Sequence, residues 1–316
     1  MFAERAAEER AAPRPGVSPA PRPSLVLGAN GLIGQRIGRL LDTRGDPWRG
    51  TGRTRAGAGL IPLDITDPAA VAAAFEAVRP GVVYHAANLA GGVDFCESRP
   101  DEAAAFHRDA TRALVAQCRA HDALLVFIST DYVFDGTSGP NREDDPKHPL
   151  NRYGAFKLEA EHLIVSGLDR HVIVRTTNVF GWDPETVTPN FVMGLARTLS
   201  AGKPMNVPSF LWGNPTDATD LAAALVELAV KPAHGVWHVV GSSFVDRFAW
   251  ATRACEVLGL DAALLREVAG PPPGMVPRPL RSWLSTDKFR AACVTPLHDL
   301  ETGLARMKRE REAAGG

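Results

Sequence analysis

The chain has 316 residues, 45% of them hydrophobic, enough for one large α/β domain or for a dinucleotide domain carrying a smaller partner. Its formal net charge is -1 and its arginines are scattered, which excludes the basic stripe of a nucleic-acid binder. Four cysteines, Cys96, Cys118, Cys255 and Cys293, form no CxxC pair, and the histidines show no HExxH or finger-like spacing, so neither a disulfide framework nor a metal site is expected.

Residues 1–23 are rich in Ala, Arg, Glu and Pro and predict a disordered tail without a signal-peptide core. No apolar run approaches the length of a transmembrane helix, so no membrane partner and a cytoplasmic location are expected. From Ser24, short β-branched or Leu-rich runs alternate with Ala-rich helical stretches, the pattern of parallel βαβ units. Ser24 to Gly28 predicts a strand entering a glycine loop, Leu32 to Thr43 a helix, and Trp48 to Arg53 a second strand. A second helix follows over Asp67 to Val78, entered through Asp67 and Pro68.

Gly28, Gly31 and Gly34 follow a strand and open a helix, so backbone amides there can approach a pyrophosphate at the positive helix end. Asn30, Leu32 and Ile33 belong to the same loop and first turn. The alternative is a plain strand-to-helix turn, because a glycine triplet alone is a weak motif. At the end of the second strand, where an NAD enzyme carries an acid, the chain has Arg53 and Arg55. Arginine there favours a 2′-phosphate, hence NADPH, with NADH as the alternative cofactor; the competing reading is two solvated loop charges. Asp64 and Ile65, ending a third short strand, are placed to meet the adenine, although Asp64 could equally cap a turn.

Gly81 to Ala87 and Leu124 to Thr130 predict the next buried strands, and Ala86 and Ala87 at the end of the former join the expected cofactor contacts, as do Tyr153 and Lys157 further on. Asp135 to Pro149 is crowded with Gly, Pro, Asn and Asp and predicts an exposed loop. A helix from about Leu150 then carries Tyr153 and Lys157, four apart and on one face. A lysine ammonium beside a tyrosine favours the phenolate and lowers its pKa, making the phenol an acid for a carbonyl oxygen that receives hydride. Thr130, at the carboxyl end of its strand, supplies a second donor. His171 to Thr176 is a further strand, after which the regular alternation fades. The tail ends in an amphipathic helix around Leu297 to Met307.

These residues resemble the extended short-chain dehydrogenase/reductases, and within them the dTDP-4-dehydrorhamnose reductase (RmlD-like) family, over a stretch from Leu25 nearly to the end. The resemblance rests on Ser129-Thr130-Asp131-Tyr132-Val133-Phe134-Asp135-Gly136, then Asn151, Tyr153-Gly154 and Lys157-Leu158. Later matches are Gly213, Pro215-Thr216, Asp220-Leu221, Arg278-Pro279, Leu284 and Asp287-Lys288. It implies a Rossmann-type doubly wound parallel sheet over 24–176, with 213–242 returning to it. A smaller C-terminal substrate-binding domain is implied over 177–212 and 243–316.

It also implies Thr130, Tyr153 and Lys157 as the catalytic set, with Asn88, Val93, Asp131, Asn178 and Arg278 toward the substrate. Arg278 or Arg281 would face a diphosphate, while the alternative for Arg278 is a surface ion pair. The activity implied is reduction of a nucleotide-linked 4-keto-6-deoxy sugar, the sugar nucleotide being the partner and a homodimer an admissible assembly. Alternatives are a non-catalytic NADP-binding subunit resembling the β subunit of methionine adenosyltransferase, and a nucleotide-sugar epimerase. Three departures stand out: His107 where the family has an asparagine, Phe156 where it has a small hydroxyl residue, and a longer loop expected at Asn88 to Val93.

Overall fold

The computed structural model describes residues 21–53, 59–183, 189–232 and 234–315. The fully buried β1 (Ser24–Leu27) leads through Gly28 into α1 (Leu32–Arg44), which Gly45 closes in the left-handed conformation at φ 69°. β2 (Trp48–Gly52) and β3 (Ile61–Pro62) follow. α2 (Pro68–Val78) starts where the Asp67 carboxylate accepts from the Ala69 and Ala70 amides, with proline in its first turn, the start expected of such a pair.

After β4 (Val82–His85) come two short helices, α3 (Gly92–Ser98) and α4 (Pro100–Ala104), then a π-helical turn over Ala105–Asp109 that runs into α5 (Ala110–Ala120). β5 (Leu124–Thr130) ends in a 3-10 turn, and α6 (Arg152–Gly167) and β6 (His171–Thr176) complete the first half. The second half holds β7 (Val179–Phe180), α7 (Phe191–Ser200), β8 (Met205–Pro208), β9 (Trp212–Gly213), β10 (Thr216–Asp217), α8 (Ala218–Val230) and β11 (Gly235–His238). It closes with β12 (Val245–Asp246), α9 (Arg247–Leu258), β13 (Leu265–Val268), β14 (Arg281–Ser282), α10 (Asp287–Ala292) and α11 (Leu300–Ala313).

Seven strands form one sheet in the order β11-β6-β5-β4-β1-β2-β3, every pair parallel. This is the doubly wound Rossmann architecture. Strand order reverses between β1 and β4, and ligands lodge in the crevice outside the strand ends at such a point. Register puts His85 beside Leu27 and Phe127, and Thr130 beside Thr176.

Alternate residues feed two cores. Leu25, Leu27, Phe75, Val83, Leu114, Phe127 and Ile173 fill one face, and Val26, Ile37, Val126, Val174, Leu225 and Trp237 the other. A third core joins Phe180, Val192, Leu195, Val207, Trp250 and Leu304 in the second half. The two halves interlock, since α10 sends the buried Phe289 into the sheet's own core. Glu161 of α6 reaches onto the sheet, pairing with Arg175 of β6 at 2.7 Å, both buried, and accepting from Ser129 of β5.

Several expectations are corrected. Arg22, expected in the tail, is anchored: its guanidinium donates to the Pro80 and His121 carbonyls at 2.5 Å each. The remaining tail, residues 1–20, lies outside the described residues. The segment 135–149 is not simply an exposed loop, because Asn141 and Glu143 are buried and Glu143 accepts from the His238 amide. The final helix runs Leu300–Ala313, starting later and ending later than expected, because Asp299 caps it through the Thr302 amide. Among the described residues no helix is long and apolar enough to cross a membrane.

Candidate active site

A cleft of about 770 Å³ opens where the sheet order reverses and reaches into the second half. One end is the glycine loop. Gly28 has φ +76° and a Cβ there would stand 2.6 Å from the Ala87 Cα, while a Cβ on Gly34 would stand 2.2 Å from the Gly28 carbonyl oxygen. No side chain caps α1 at Gly31, which leaves its first-turn amides available to an anion. Gly28, Asn30, Gly31, Leu32 and Ile33 line this end, as do Arg53, Asp64, Ile65, Ala86 and Ala87.

Gly34 does not line the cleft; its role is the close packing of α1 on the loop. Arg55 lies outside the described residues. Asp64 takes the capping option as well, since its carboxylate accepts from the Thr66 amide and hydroxyl, which hold it below its ordinary pKa.

The middle of the cleft brings together Thr130, Tyr153 and Lys157. Thr130 ends β5, and its Oγ1 donates to Asp131 at 2.9 Å and accepts from the Tyr132 amide. α6 begins one residue before Tyr153, capped by Asn151, which accepts from the Gly154 amide at 2.9 Å. A Cβ on Gly154 would stand 2.2 Å from the Tyr132 carbonyl, so only glycine lets the helix start lie against the turn after β5.

One turn along α6, the buried Lys157 Nζ donates to the Ile128 carbonyl at 3.0 Å and sits 4.7 Å over the Phe127 ring. Burial lowers its pKa to about 8, opposed by Glu161. The expected lowering of the tyrosine pKa by this lysine is corrected: burial pushes the Tyr153 phenol above its ordinary value, with a hydrogen bond to Thr130 offsetting part of the shift. The phenol is therefore protonated throughout the neutral range, the form a proton donor requires.

His107 falls in the π-turn, buried, with its ring edge-on to Tyr153 at 5.6 Å between centroids. Among the described residues its Nε2 and the Nδ1 of His85 have no hydrogen-bond partner. Burial, with the Lys157 charge added, lowers His85 to about 3 and His107 to about 2, so both are neutral imidazoles. Phe156 packs into a small core with Cys96, Ala103 and Ala104, against which Leu89 and Tyr153 rest.

Asn88, Val93, Asp131 and Asn178 line the cleft, but Val93 is not loop: it lies in the first turn of α3. Asp131 is buried and bonded by Ser282 and Thr130, and burial raises its pKa. Arg278 is outside the lining and pairs with Asp94 at 2.9 Å. Arg281 lies over the Trp212 and Phe244 rings. In their place the cleft holds Arg247, together with Asn190, Phe191 and Trp250. Sequence reasoning missed these four because no motif surrounds them. The only local cue is Asp246, which caps α9 through the Ala249 amide and fixes Arg247 as the first helical residue.

A protein-family model described as RmlD substrate binding domain matches residues 23–312. The chain is 36% identical to a dTDP-4-dehydrorhamnose reductase of Streptomyces griseus, covering 91% of this chain and 94% of that protein. It is 29% identical to the methionine adenosyltransferase 2 subunit beta of Xenopus laevis, covering 85% and 81%. Among solved structures it is similar to a dTDP-4-dehydrorhamnose reductase from Bacillus anthracis in complex with NADP, with a TM-score of 0.83, 25% identity, and 92% and 99% of the two chains covered.

Proposed function

Because the chain belongs to the family of the RmlD substrate binding domain, we propose that it is an NADPH-dependent reductase of a nucleotide-linked 4-keto-6-deoxy sugar, of the dTDP-4-dehydrorhamnose class. The observation that carries this is the meeting of Thr130, Tyr153 and Lys157 in one cleft with an uncapped glycine loop. The loop fits a dinucleotide, since Gly28 has no room for a side chain and α1 offers free amides for a pyrophosphate. Arg53 at the end of β2 suits a 2′-phosphate.

Bound NADPH supplies the hydride. Tyr153 hands its phenolic proton to the sugar carbonyl oxygen as that oxygen gains charge, and Thr130 turns its hydroxyl proton from Asp131 to donate a second hydrogen bond to the same atom. Lys157 holds a positive charge behind the site, which steadies the tyrosinate left after proton transfer. The neutral His107 keeps the Tyr153 ring in place from the side. Tyr153 is held in its protonated form by burial, the form that can give a proton to a ketone oxygen.

The proposal includes a cytoplasmic setting, which the free thiols of all four cysteines support. It treats the lobe built around Phe180, Val192 and Trp250 as the substrate side. The test is loss of NADPH absorbance on mixing the protein with dTDP-4-dehydrorhamnose and related 4-keto sugar nucleotides. Turnover with at least one of them is expected. NADP binding without any turnover would replace this reading by that of a non-catalytic subunit, as the similarity to the methionine adenosyltransferase subunit allows.

A further inference from the structure

Resting on the reductase reading, we propose that Arg247 is the anchor for the diphosphate of the nucleotide sugar, with Asn178 as its positioning partner. Arg247 opens α9 and faces the same cleft as Tyr153, at the end built by the second half of the chain. Its guanidinium donates to the Asn178 side-chain oxygen at 2.7 Å and lies 4.9 Å over the Phe191 ring. A neutral amide and an aromatic face orient a cation without neutralising it.

Among the described residues Arg247 forms no ion pair, whereas the nearby Arg278 is paired with Asp94. A half-buried guanidinium without a counter-ion is a charge awaiting one. Burial draws its pKa below the ordinary arginine value, opposed by Tyr132 and Asp131 and reinforced by the neighbouring Arg278; an incoming anion relieves the burial and the repulsion.

The tether is itself built. Asn178 adopts the left-handed conformation at φ 51°, which asparagine tolerates better than most residues with a side chain. Its amide nitrogen comes so near Gly213 that a Cβ there would stand 2.4 Å away. The Arg247 amide donates to the Leu211 carbonyl, so the same short ribbon holds both residues. The glycine loop and Arg53 serve the cofactor's phosphates from the first half of the chain, which leaves Arg247 to an anion arriving with the substrate. A diphosphate linking nucleoside to sugar has the charge and the paired oxygens that a guanidinium fork takes.

The test is calorimetric titration of dTDP, UDP, inorganic pyrophosphate and thymidine into the protein saturated with NADP⁺, for wild type, Arg247→Met and Asn178→Ala. Wild type should bind both nucleoside diphosphates. Arg247→Met should weaken them by about 10- to 100-fold, as expected for a lost charge-assisted bond, while leaving thymidine and NADP⁺ within about twofold, a change worth well under 1.4 kcal/mol. Asn178→Ala should weaken them by a smaller factor in the same direction. Pyrophosphate should follow the nucleoside diphosphates, since the shared anion is what Arg247 takes.

Unchanged dTDP affinity in Arg247→Met, equal loss of dTDP and thymidine, or no nucleoside diphosphate binding by wild type overturns the assignment. Binding through Arg247 without turnover of any 4-keto sugar supports it and removes the reductase reading alone. Turnover with an unchanged KM in Arg247→Met removes the assignment alone.

Discussion

At the scale of single residues, the protonation states of three buried groups and the half-buried Tyr153 define how the site works. Lys157 carries its charge below about pH 8, His85 and His107 stay neutral above about pH 3, and Tyr153 keeps its proton well beyond neutrality. The kcat/KM for ketone reduction, which reports the free enzyme, should therefore be level from about pH 5 to pH 7.5 and fall above about 8 as Lys157 deprotonates. Lys157→Met should abolish that limb, and a fall on the acid side of pH 7 would count against the assignment. The triad residues were legible in the sequence because their spacing on a strand end and a helix face is local. The state of Tyr153 was not, because burial and the diversion of Lys157 to the Ile128 carbonyl depend on packing. Arg53 is the other residue with a defined expectation: Arg53→Ala should weaken NADPH about tenfold and NADH hardly at all, since NADH has no 2′-phosphate for the guanidinium to hold. Cofactor titration reads both affinities directly.

At the scale of elements, the glycine loop separates two duties that its GxxGxxG spacing hides. A Cβ on Gly31 meets nothing but the Gly28 carbonyl oxygen, at 3.3 Å, whereas one on Gly34 would stand 2.2 Å from that atom and 2.7 Å from the Ala29 Cα. Gly31→Ala should therefore fold with a near-normal melting temperature and bind NADPH weakly, because its methyl obstructs the approach of the pyrophosphate. Gly34→Ala should lose about 1–3 kcal/mol of stability through overpacking, seen in urea unfolding. Equal effects of the two substitutions on both measurements would contradict this division. The elements most readily legible were β1, α1, α2, β5 and α6, each long enough for its period to show. The segment α3, α4 and the π-turn was not, because its short helices break at Arg99 and Pro100 and a π-turn leaves no local pattern. The two-residue strands β7, β9, β10, β12 and β14 are too short for alternation to exist, and pairings such as β9 with β12 and β14 are set by tertiary contact.

At the scale of the whole molecule, three buried histidines link stability to pH. His85, His107 and His238 all have folded pKa values lowered by burial, to about 3, about 2 and about 3. Above pH 6.5 folded and unfolded chains are both neutral there and the linkage is silent. As pH falls below 6.5 the unfolded chain takes up protons that the folded chain refuses, so stability drops by about 1.4 kcal/mol per pH unit for each histidine. Chemical denaturation between pH 7 and pH 5 should show this fall, reduced in His107→Asn; a stability independent of pH in that window would refute it. The parallel sheet was legible from its alternating runs, and the interlocking of the halves was not, because Phe289 reaches the sheet's core from the far end of the chain. The central claim is that Tyr153 donates the proton while the sugar carbonyl accepts hydride. Its most direct measurement is single-turnover oxidation of NADPH with a 4-keto sugar nucleotide by wild type and Tyr153→Phe, after both are shown to bind cofactor equally. The rate should fall on the order of 10²-fold or more; a Tyr153→Phe protein that turns over at the wild-type rate would contradict the account.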